Sequence, residues 1–192
     1  TFDLKRIEVL RGPQGTTFGK NTTAGLIHML TADPSDTFTG NFSAQTGDFE
    51  RERYEASFGG PLISDVVNFR LAAFTDIRDG FVENTTDDVN PKAQENFRGH
   101  DRDGYRIKLD FPDIWGAQLK LGWEDVDLED LGTGFEIIRA SEEVREFLRA
   151  YDPNTDFEQG NFKASLDDQD GRQVNIKTFN MQLNYDIADW GL

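Results

Sequence analysis

Strict alternation of apolar and polar residues is the feature that most constrains the fold of this chain. One segment places Tyr105, Ile107 and Leu109 on one face and polar residues between them. Because successive side chains of a β-strand point to opposite faces, a period of two predicts a strand with one apolar and one polar face. The pattern predicts six strands, near residues 38–47, 52–59, 66–78, 103–111, 117–127 and 174–187. The chain is therefore predicted to be mainly β, with the strands antiparallel and in sequence order.

The connections between these strands differ in length. Short turns are predicted at Gly59–Asp65, Pro112–Gly116 and Ala188–Gly191, and long hydrophilic connections from about Arg78 to Arg102 and from about Asp127 to Arg172. If the first strand runs outward, these three short turns fall on one side and both long loops fall on the other. Short turns inside and long loops outside are typical of outer-membrane β-barrels. Alternation also explains how a mean hydropathy of −0.62 is compatible with a membrane.

In a membrane barrel, the two faces of each strand lie in different environments. We expect the apolar residues to face lipid and their polar neighbours to face the lumen. The outward set is Phe69, Leu71, Ile107, Leu109, Leu119, Leu121, Met181 and Leu183. Trp115 and Trp190 follow strands in similar turns and are expected at the membrane interface, where an aromatic girdle belongs.

The first 33 residues have a different pattern, a glycine-rich stretch between two strand-like segments. A phosphate loop is excluded, because Gly19-Lys20 matches only its second half, while Gln14 and Asn21 stand at the other required positions. The dinucleotide-binding glycine spacing is absent as well. The glycines therefore predict a compact cluster of turns.

A resemblance to a known family becomes specific at these residues. The stretch Ile7-Glu-Val-Leu-Arg-Gly-Pro-Gln-Gly-Thr-Thr-Phe-Gly-Lys-Asn-Thr-Thr-Ala-Gly-Leu-Ile-His-Met-Leu-Thr31 resembles the C-terminal part of the plug domain of TonB-dependent outer-membrane receptors. Thr17 and His28 depart from the family pattern. Gly60-Pro-Leu62 and Asp79-Gly-Phe-Val-Glu-Asn84 resemble the family further along the chain. The residues that carry the plug motif, with a structural role, are Arg11, Gly12, Pro13, Gly15, Phe18, Gly19 and Gly25.

The resemblance implies a plug inside a barrel of about 22 strands. Residues 1–34 would be the C-terminal part of the plug, and residues 35–192 would be the first strands of an incomplete transmembrane barrel. Thr1 would lie inside the plug and Leu192 where another strand begins, so we expect the chain to be part of a longer protein. Six strands alone would leave open edges in hydrocarbon, and we expect residues 1–192 expressed alone to aggregate.

The implied function is energy-coupled uptake of a scarce ligand, such as a ferric siderophore, across the bacterial outer membrane. The implied partners are the TonB complex of the inner membrane, the small-molecule ligand and outer-membrane lipid. The resemblance assigns no ligand-binding residue, and the segment that touches the TonB complex would lie upstream of Thr1. The alternative that the alternation leaves open is a soluble or surface-attached β-sandwich binding module.

Composition argues against other classes of function. Thirty-six acidic and 20 basic residues give a net charge of −16, which disfavours binding to nucleic acid. The chain has no cysteine, and its two histidines, His28 and His100, lie far apart. Neither acidic stretch completes a calcium loop: after Asp152–Asp156 the glycine and glutamate positions hold Phe157 and Lys163, and in the stretch with Gly171 the first and last positions hold Leu166 and Lys177. We therefore predict no catalytic residue, no metal site and no cofactor, and we expect the chain not to be an enzyme.

One helix is predicted within the second long connection. Ser141 is a suitable N-cap, Glu142 favours the positive end of the helix dipole, and Pro153 follows its end. An apolar stripe is formed by Val144, Phe147, Leu148 and Tyr151. We expect this stripe to pack the helix onto its own loop.

Overall fold

A computed structural model describes residues 1–19, 22–86, 95–137, 139–166 and 171–185. Its helices and strands, in chain order, are β1 (Leu4–Arg11), α1 (Gly15–Phe18), β2 (Gly25–Thr31), β3 (Thr39–Gly47), β4 (Arg51–Ile63), β5 (Val67–Arg78), β6 (Val82–Asn84), β7 (Asn96–Phe97), β8 (His100–Ile114), β9 (Ala117–Leu131), α2 (Glu142–Tyr151), β10 (Lys163–Ala164) and β11 (Gly171–Tyr185).

The main structure is a six-stranded sheet in which every pair of neighbouring strands is antiparallel. The spatial order β11-β9-β8-β5-β4-β3 follows the order of these strands in the sequence, as predicted. The long strands β4, β8 and β9 extend beyond their predicted bounds, and the extensions of β8 and β9 shorten the two long connections. This open, curved wall of up-and-down strands confirms the predicted fold class.

The predicted turn at Gly59–Asp65 is wrong in its extent. Gly59 through Ile63 remain in β4, and the turn itself covers only residues 64–66. The strand persists because this stretch stays paired with β5, and the ring of Phe38 packs beside Gly60, where an added Cβ would lie 2.3 Å from that ring. The pairing is irregular between Pro61 and Ile63, which places the proline at a bulge, where strands tolerate it.

The predicted turn at Pro112–Gly116 is also shorter. β8 continues to Ile114, and Trp115 and Gly116 alone connect it to β9, with φ angles of 54° and 83°. Positive φ at both residues is typical of a two-residue hairpin turn. The side chain of Trp115 is 96% exposed, so it is not a core residue. The predicted turn at Ala188–Gly191, Trp190 and the last residues of the predicted strand 174–187 lie outside the described residues.

The N-terminal segment forms a separate two-stranded sheet. β1 and β2 pair antiparallel, with Arg11 opposite Gly25 and Val9 opposite Ile27. The single turn of helix α1 lies between them. The predicted order of strand, glycine-rich turn region and strand is therefore confirmed.

Both long connections contain structure that the sequence did not predict. β6 and β7, from the first connection, form a sheet with β10, from the second, and β6 pairs with β10 in parallel. Val82, Phe97 and Ala164 are buried together in the centre of this small unit. Their apolar side chains are scattered in sequence and meet only because the two connections lie against each other.

The predicted helix is present as α2, and the hydroxyl of Ser141 accepts a hydrogen bond from the backbone N–H of Val144 at 3.4 Å. The expectation that its apolar stripe packs onto the loop is wrong for the described residues. Phe147 and Tyr151 are 71% and 73% exposed. In the described part of the chain, no helix combines the length and hydropathy needed to cross a membrane.

Candidate functional site

One face of the six-stranded sheet contacts the N-terminal segment. Arg70 donates a hydrogen bond from Nε to a carboxylate oxygen of Asp3 at 2.7 Å, and the ring of Phe74 lies 4.7 Å from that of Phe2. Because strand side chains alternate, this face also carries the other even-numbered residues of β5 and their cross-strand neighbours. We call it the lumen face and call the opposite side the outer face.

Phe2 is the most deeply buried residue in the contact between the N-terminal segment and the lumen face. It is 3% exposed, and the guanidinium of Arg106 lies over its ring at 4.3 Å from the centroid. Arg106 also donates from Nη1 to the backbone carbonyl of Phe2 at 3.1 Å and forms an ion pair with Glu124. Cation–π, hydrogen-bond and ionic interactions therefore meet at one side chain on the lumen face.

A second contact holds the end of β2. Lys108 on the lumen face donates from Nζ to the backbone carbonyl of Ala32 at 2.8 Å and lies 3.4 Å from a carboxylate oxygen of Asp33. Lys5, in β1, binds the other oxygen of Asp33 at 3.3 Å. Burial by itself would raise the pKa of Asp33, but Lys108 and Lys5 outweigh it and hold the pKa below its usual value.

The outer face carries the apolar residues predicted to face lipid. They are aligned across strands, so that Phe69, Leu109, Leu121 and Met181 form one row, and Leu71 and Ile107 lie in the next. Met181 and Leu183 are 65% and 60% exposed. Their polar neighbours lie on the lumen face, as predicted.

Charge is divided between the two faces. Every Lys and Arg of the six strands lies on the lumen face except Lys177: Arg51, Arg53, Arg70, Arg78, Arg102, Arg106, Lys108, Lys120 and Arg172. Beyond the apolar rows, the outer face instead carries carboxylates: Glu52, Asp101, Asp103, Asp125, Asp127 and Glu129. The lumen face also carries five carboxylates, at Glu55, Asp76, Asp110, Glu124 and Asp130, so its nine cations leave it with a net positive charge in a chain whose overall charge is strongly negative.

Near the long-loop end of the lumen face, several of these cations surround one carboxylate. Asp76 is 4% exposed and accepts hydrogen bonds from Arg51 at 3.1 Å and from Arg53 at 2.7 Å. The Nε2 atom of His100 lies 3.1 Å from the same carboxylate. Sequence reasoning assigned no residue here, although the polar positions of the alternation identify the face to which these side chains belong.

A cavity of about 610 Å³ separates the end of β2 from the strands β8, β9 and β11. Its lining includes His28, Asp33, Lys108, Lys120 and Asn180. The cavity is therefore bounded by the N-terminal segment on one side and by the lumen face on the other, and both contribute polar groups.

The predicted plug-motif residues lie together at one end of the β1–β2 sheet. Gly12 and Gly19 have φ angles of 82° and 88°, and Gly15 and Phe18 bound α1. A Cβ at Gly25 would lie 2.6 Å from the carbonyl oxygen of Leu10. Pro13 follows the end of β1, whereas Lys20 and Asn21 are outside the described residues. The role of this motif in a plug stays a prediction.

The described residues contain no evident metal-binding site. Among the described residues, no three or more His, Asp or Glu side chains are grouped in a way that could hold a metal ion.

No protein-family model matches the chain. Individual relatives do. The pesticin receptor of Yersinia pestis is 27% identical over 100 residues, which are 52% of this chain and 14% of the receptor. The ferric enterobactin receptor PirA of Pseudomonas aeruginosa is 30% identical over 115 residues, which are 53% of this chain and 15% of PirA. The chain thus matches a small part of the length of each relative.

Solved structures show the same fold. The ferric yersiniabactin uptake receptor FyuA of Yersinia pestis has a TM-score of 0.66 at 19% identity and covers 94% of this chain, which matches 25% of FyuA. The ferric-catecholate import receptor Fiu of Escherichia coli has a TM-score of 0.67 at 18% identity, covering 98% of this chain and 27% of Fiu. In fold and in sequence, the two-stranded sheet held against the lumen face and the wall of antiparallel strands are thus similar to part of outer-membrane receptors, among them a probable TonB-dependent siderophore receptor of Acinetobacter baumannii that is 26% identical over 130 residues, which are 65% of this chain and 16% of that receptor.

Proposed function

We propose that the protein takes up a scarce ligand, most simply a ferric siderophore, across the bacterial outer membrane in a process energised by the TonB complex. In this proposal, residues 1–34 are the C-terminal part of the plug and residues 35–192 are barrel strands. The residues Arg11, Gly12, Pro13, Gly15, Phe18, Gly19 and Gly25 shape the turn region of the plug.

The observation that carries the proposal is the contact between the N-terminal segment and the lumen face. Phe2, Asp3 and Asp33 are held by Arg106, Arg70 and Lys108 through hydrogen bonds, ion pairs and one cation–π contact. Apart from the packing of Phe2 on Phe74, these contacts are polar, and water can replace polar contacts more readily than it can replace a continuous apolar core. A segment that blocks a lumen and must move to admit a ligand requires this kind of interface.

The named relatives support the choice of ligand class. PirA is a ferric enterobactin receptor, and FyuA is a ferric yersiniabactin uptake receptor. All of the relatives compared are receptors, and the ligands named for these two are iron chelates. A ferric siderophore is therefore the simplest ligand to propose for this protein.

The test uses the complete receptor in its own cells. We expect iron limitation to make growth on one or more ferric siderophores depend on the gene, and uptake of siderophore-bound radioactive iron to stop when the gene is deleted. Deletion of the TonB component should abolish uptake while leaving surface binding in place. Uptake that is unchanged in the gene deletion for every iron chelate tried would contradict the proposal.

The β-sandwich alternative has a specific observation against it. A sandwich buries the apolar faces of two sheets against each other. In the described residues, the outer face of the six-stranded sheet has no second sheet packed on it, and Phe179 and Met181 on that face are 63% and 65% exposed.

A further inference from the structure

The feature that goes furthest beyond the proposed function is a cluster at the long-loop end of the lumen face. Arg78 is the last residue of β5 and lies opposite His100 of β8. The backbone N–H of Asp79 donates to the carbonyl oxygen of Phe49 in the β3–β4 turn at 3.0 Å. This end of the sheet is opposite the short turns that follow β4 and β8, so it is the extracellular mouth of the lumen.

Two glycines set the geometry of the cluster. A Cβ added at Gly80 would lie 2.6 Å from the Cβ of Asn96, and one added at Gly99 would lie 2.7 Å from the backbone nitrogen of Gly80. Such close approach of two backbone segments is possible only without side chains at these positions. It brings the segment after β5 against the segment before β8, and these segments carry the aromatic and cationic groups described next.

The cluster consists of one ring between two guanidinium groups. Arg78 and Arg98 lie 5.4 Å and 5.8 Å from the ring centroid of Phe81. The rings of Phe49 and Phe162 lie 5.1 Å and 6.2 Å from that of Phe81, and both side chains are more than half exposed. Aromatic surface and positive charge are therefore presented side by side.

The two arginines differ from their neighbours in having no carboxylate partner among the described residues. Arg78 donates from Nη2 to the backbone carbonyl of Arg98 at 2.6 Å, and Arg98 donates from Nε to that of Thr133 at 2.8 Å. The buried Nε of Arg78 has no hydrogen-bond partner in this part of the structure. By contrast, Arg51 and Arg53 share Asp76. Since a guanidinium has five N–H donors, the exposed Arg98 keeps donors for an anion after its bond to Thr133, and the Nη groups of Arg78 add further donors, whereas the buried Nε of Arg78 is out of reach.

We propose that Arg78, Arg98 and Phe81 form a binding subsite for a negatively charged, aromatic iron chelate of the catecholate class. The inference rests on the proposed function and narrows its ligand class. The phenolate oxygens of such a chelate accept charge-assisted hydrogen bonds from guanidinium groups, while its rings stack on aromatic and guanidinium planes. A neutral hydroxamate chelate without an aromatic ring offers neither interaction to the same degree.

The experiment compares two chelates on the complete receptor purified in detergent. The probes are a ferric tris-catecholate, which is anionic and aromatic, and a neutral ferric tris-hydroxamate. We expect the catecholate to bind more tightly, with an affinity that falls as salt concentration rises. Because glutamine cannot make the charge-assisted hydrogen bonds of a guanidinium, Arg98→Gln should weaken catecholate binding about tenfold or more, and Arg78→Gln similarly.

Arg149→Gln is the matched control, because Arg149 also lies over a phenylalanine ring, that of Phe157, but on α2. It should leave catecholate affinity unchanged. Arg98 is exposed, so its replacement carries little risk to folding, and the salt dependence of the unmodified receptor is a second measurement that needs no variant.

The possible outcomes separate the inference from the proposed function. Catecholate binding that is independent of salt, or unchanged in Arg98→Gln and Arg78→Gln, would overturn the subsite. Uptake and tight binding of the hydroxamate with no binding of the catecholate would overturn the subsite while leaving siderophore uptake intact. Failure to bind or transport any iron chelate would overturn both.

Discussion

Arg106 donates a hydrogen bond at 3.1 Å to the backbone carbonyl oxygen of Phe2, which precedes it by 104 residues in the chain. The same guanidinium lies over the ring of Phe2 and pairs with Glu124. One side chain thus joins the N-terminal segment to the wall of strands, and it does so where both partners are buried. The first prediction follows from this contact.

Arg106→Met should loosen the N-terminal segment in the complete receptor. It removes the cation–π contact and the hydrogen bond and leaves Glu124 without its partner, a loss we expect to cost about 3 kcal/mol. Denaturant unfolding followed by a probe attached near residue 2 measures the change. The control is Lys177→Met, which removes an exposed lysine from its 3.5 Å pair with Asp125 on the outer face and should cost about 1 kcal/mol or less. Equal losses in both variants would contradict the role of Arg106.

The two faces of β9 should respond differently to charge. Leu121 lies on the outer face and Lys120 on the lumen face. Leu121→Arg should reduce the stability of the complete receptor by about 2–4 kcal/mol if the position is near the bilayer midplane, because the charge would enter hydrocarbon. Lys120→Gln should cost far less. Unfolding from lipid vesicles in urea measures both, and equal costs at the two positions would argue against a membrane barrel.

Gly104 provides the space in which Phe74 packs on Phe2. A Cβ at Gly104 would lie 2.9 Å from Val126 and 3.0 Å from the ring of Phe74. Gly104→Val should therefore overpack this part of the lumen face at a cost of about 1–3 kcal/mol and make the N-terminal segment more accessible to protease. Gly122 is the matched control on the same face.

At Gly122 the nearest neighbours of an added Cβ are 3.7 Å and 3.9 Å away, at Asn180 and Lys108. Gly122→Val should therefore be tolerated. Protease sensitivity that rises equally in the two variants would show that strand stiffness, and not the contact with Phe74, is responsible.

Acidic pH should weaken the ion pairs that Asp33 forms with Lys108 and Lys5. Its pKa is lower in the folded protein than the ordinary value of 3.8, so its contribution to stability is present above that value and is lost as pH falls through the folded pKa. The carboxylate is 42% exposed, so solvent screens the pair and the effect should be small. Asp33→Asn should remove this part of the pH dependence below about pH 5. Identical acid unfolding curves for both proteins would contradict the assignment.

Residues 1–192 expressed alone should aggregate instead of inserting into a membrane. Within the described residues, β3 pairs only with β4 and β11 only with β9, so each leaves an unpaired edge. An unpaired edge in hydrocarbon costs several kcal/mol for each unsatisfied backbone group. Gel mobility with and without heating tests this, and a folded, heat-modifiable monomer would contradict it.

Much of the fold is determined by local pattern. The period of two along β5, β8, β9 and β11 indicated which side chains share a face, and the structure places Leu109 and Lys108 on opposite faces as expected. Short turns can join only neighbouring strands, which accounts for the pairs β3–β4, β4–β5 and β8–β9, whereas the pairs β5–β8 and β9–β11 are separated by the long connections. The glycine-rich stretch indicated the turn region between β1 and β2. These features need no long-range information, because alternation and turn chemistry act over a few residues.

Only the tertiary structure determined where the turns end, how the two long connections pair and which distant side chains are in contact. Gly59 through Ile63 look like a turn in the sequence but remain in β4, because they pair with β5, and Phe38 packs on Gly60. Glu83 and Lys163 pair across the two long connections, although they are 80 positions apart in a chain that shows no periodicity there. The contact of Arg106 with Phe2 and the cluster around Phe81 arise in the same way. Contacts between distant, non-periodic segments leave no signal in local sequence, because they depend on which surfaces the completed strands bring together.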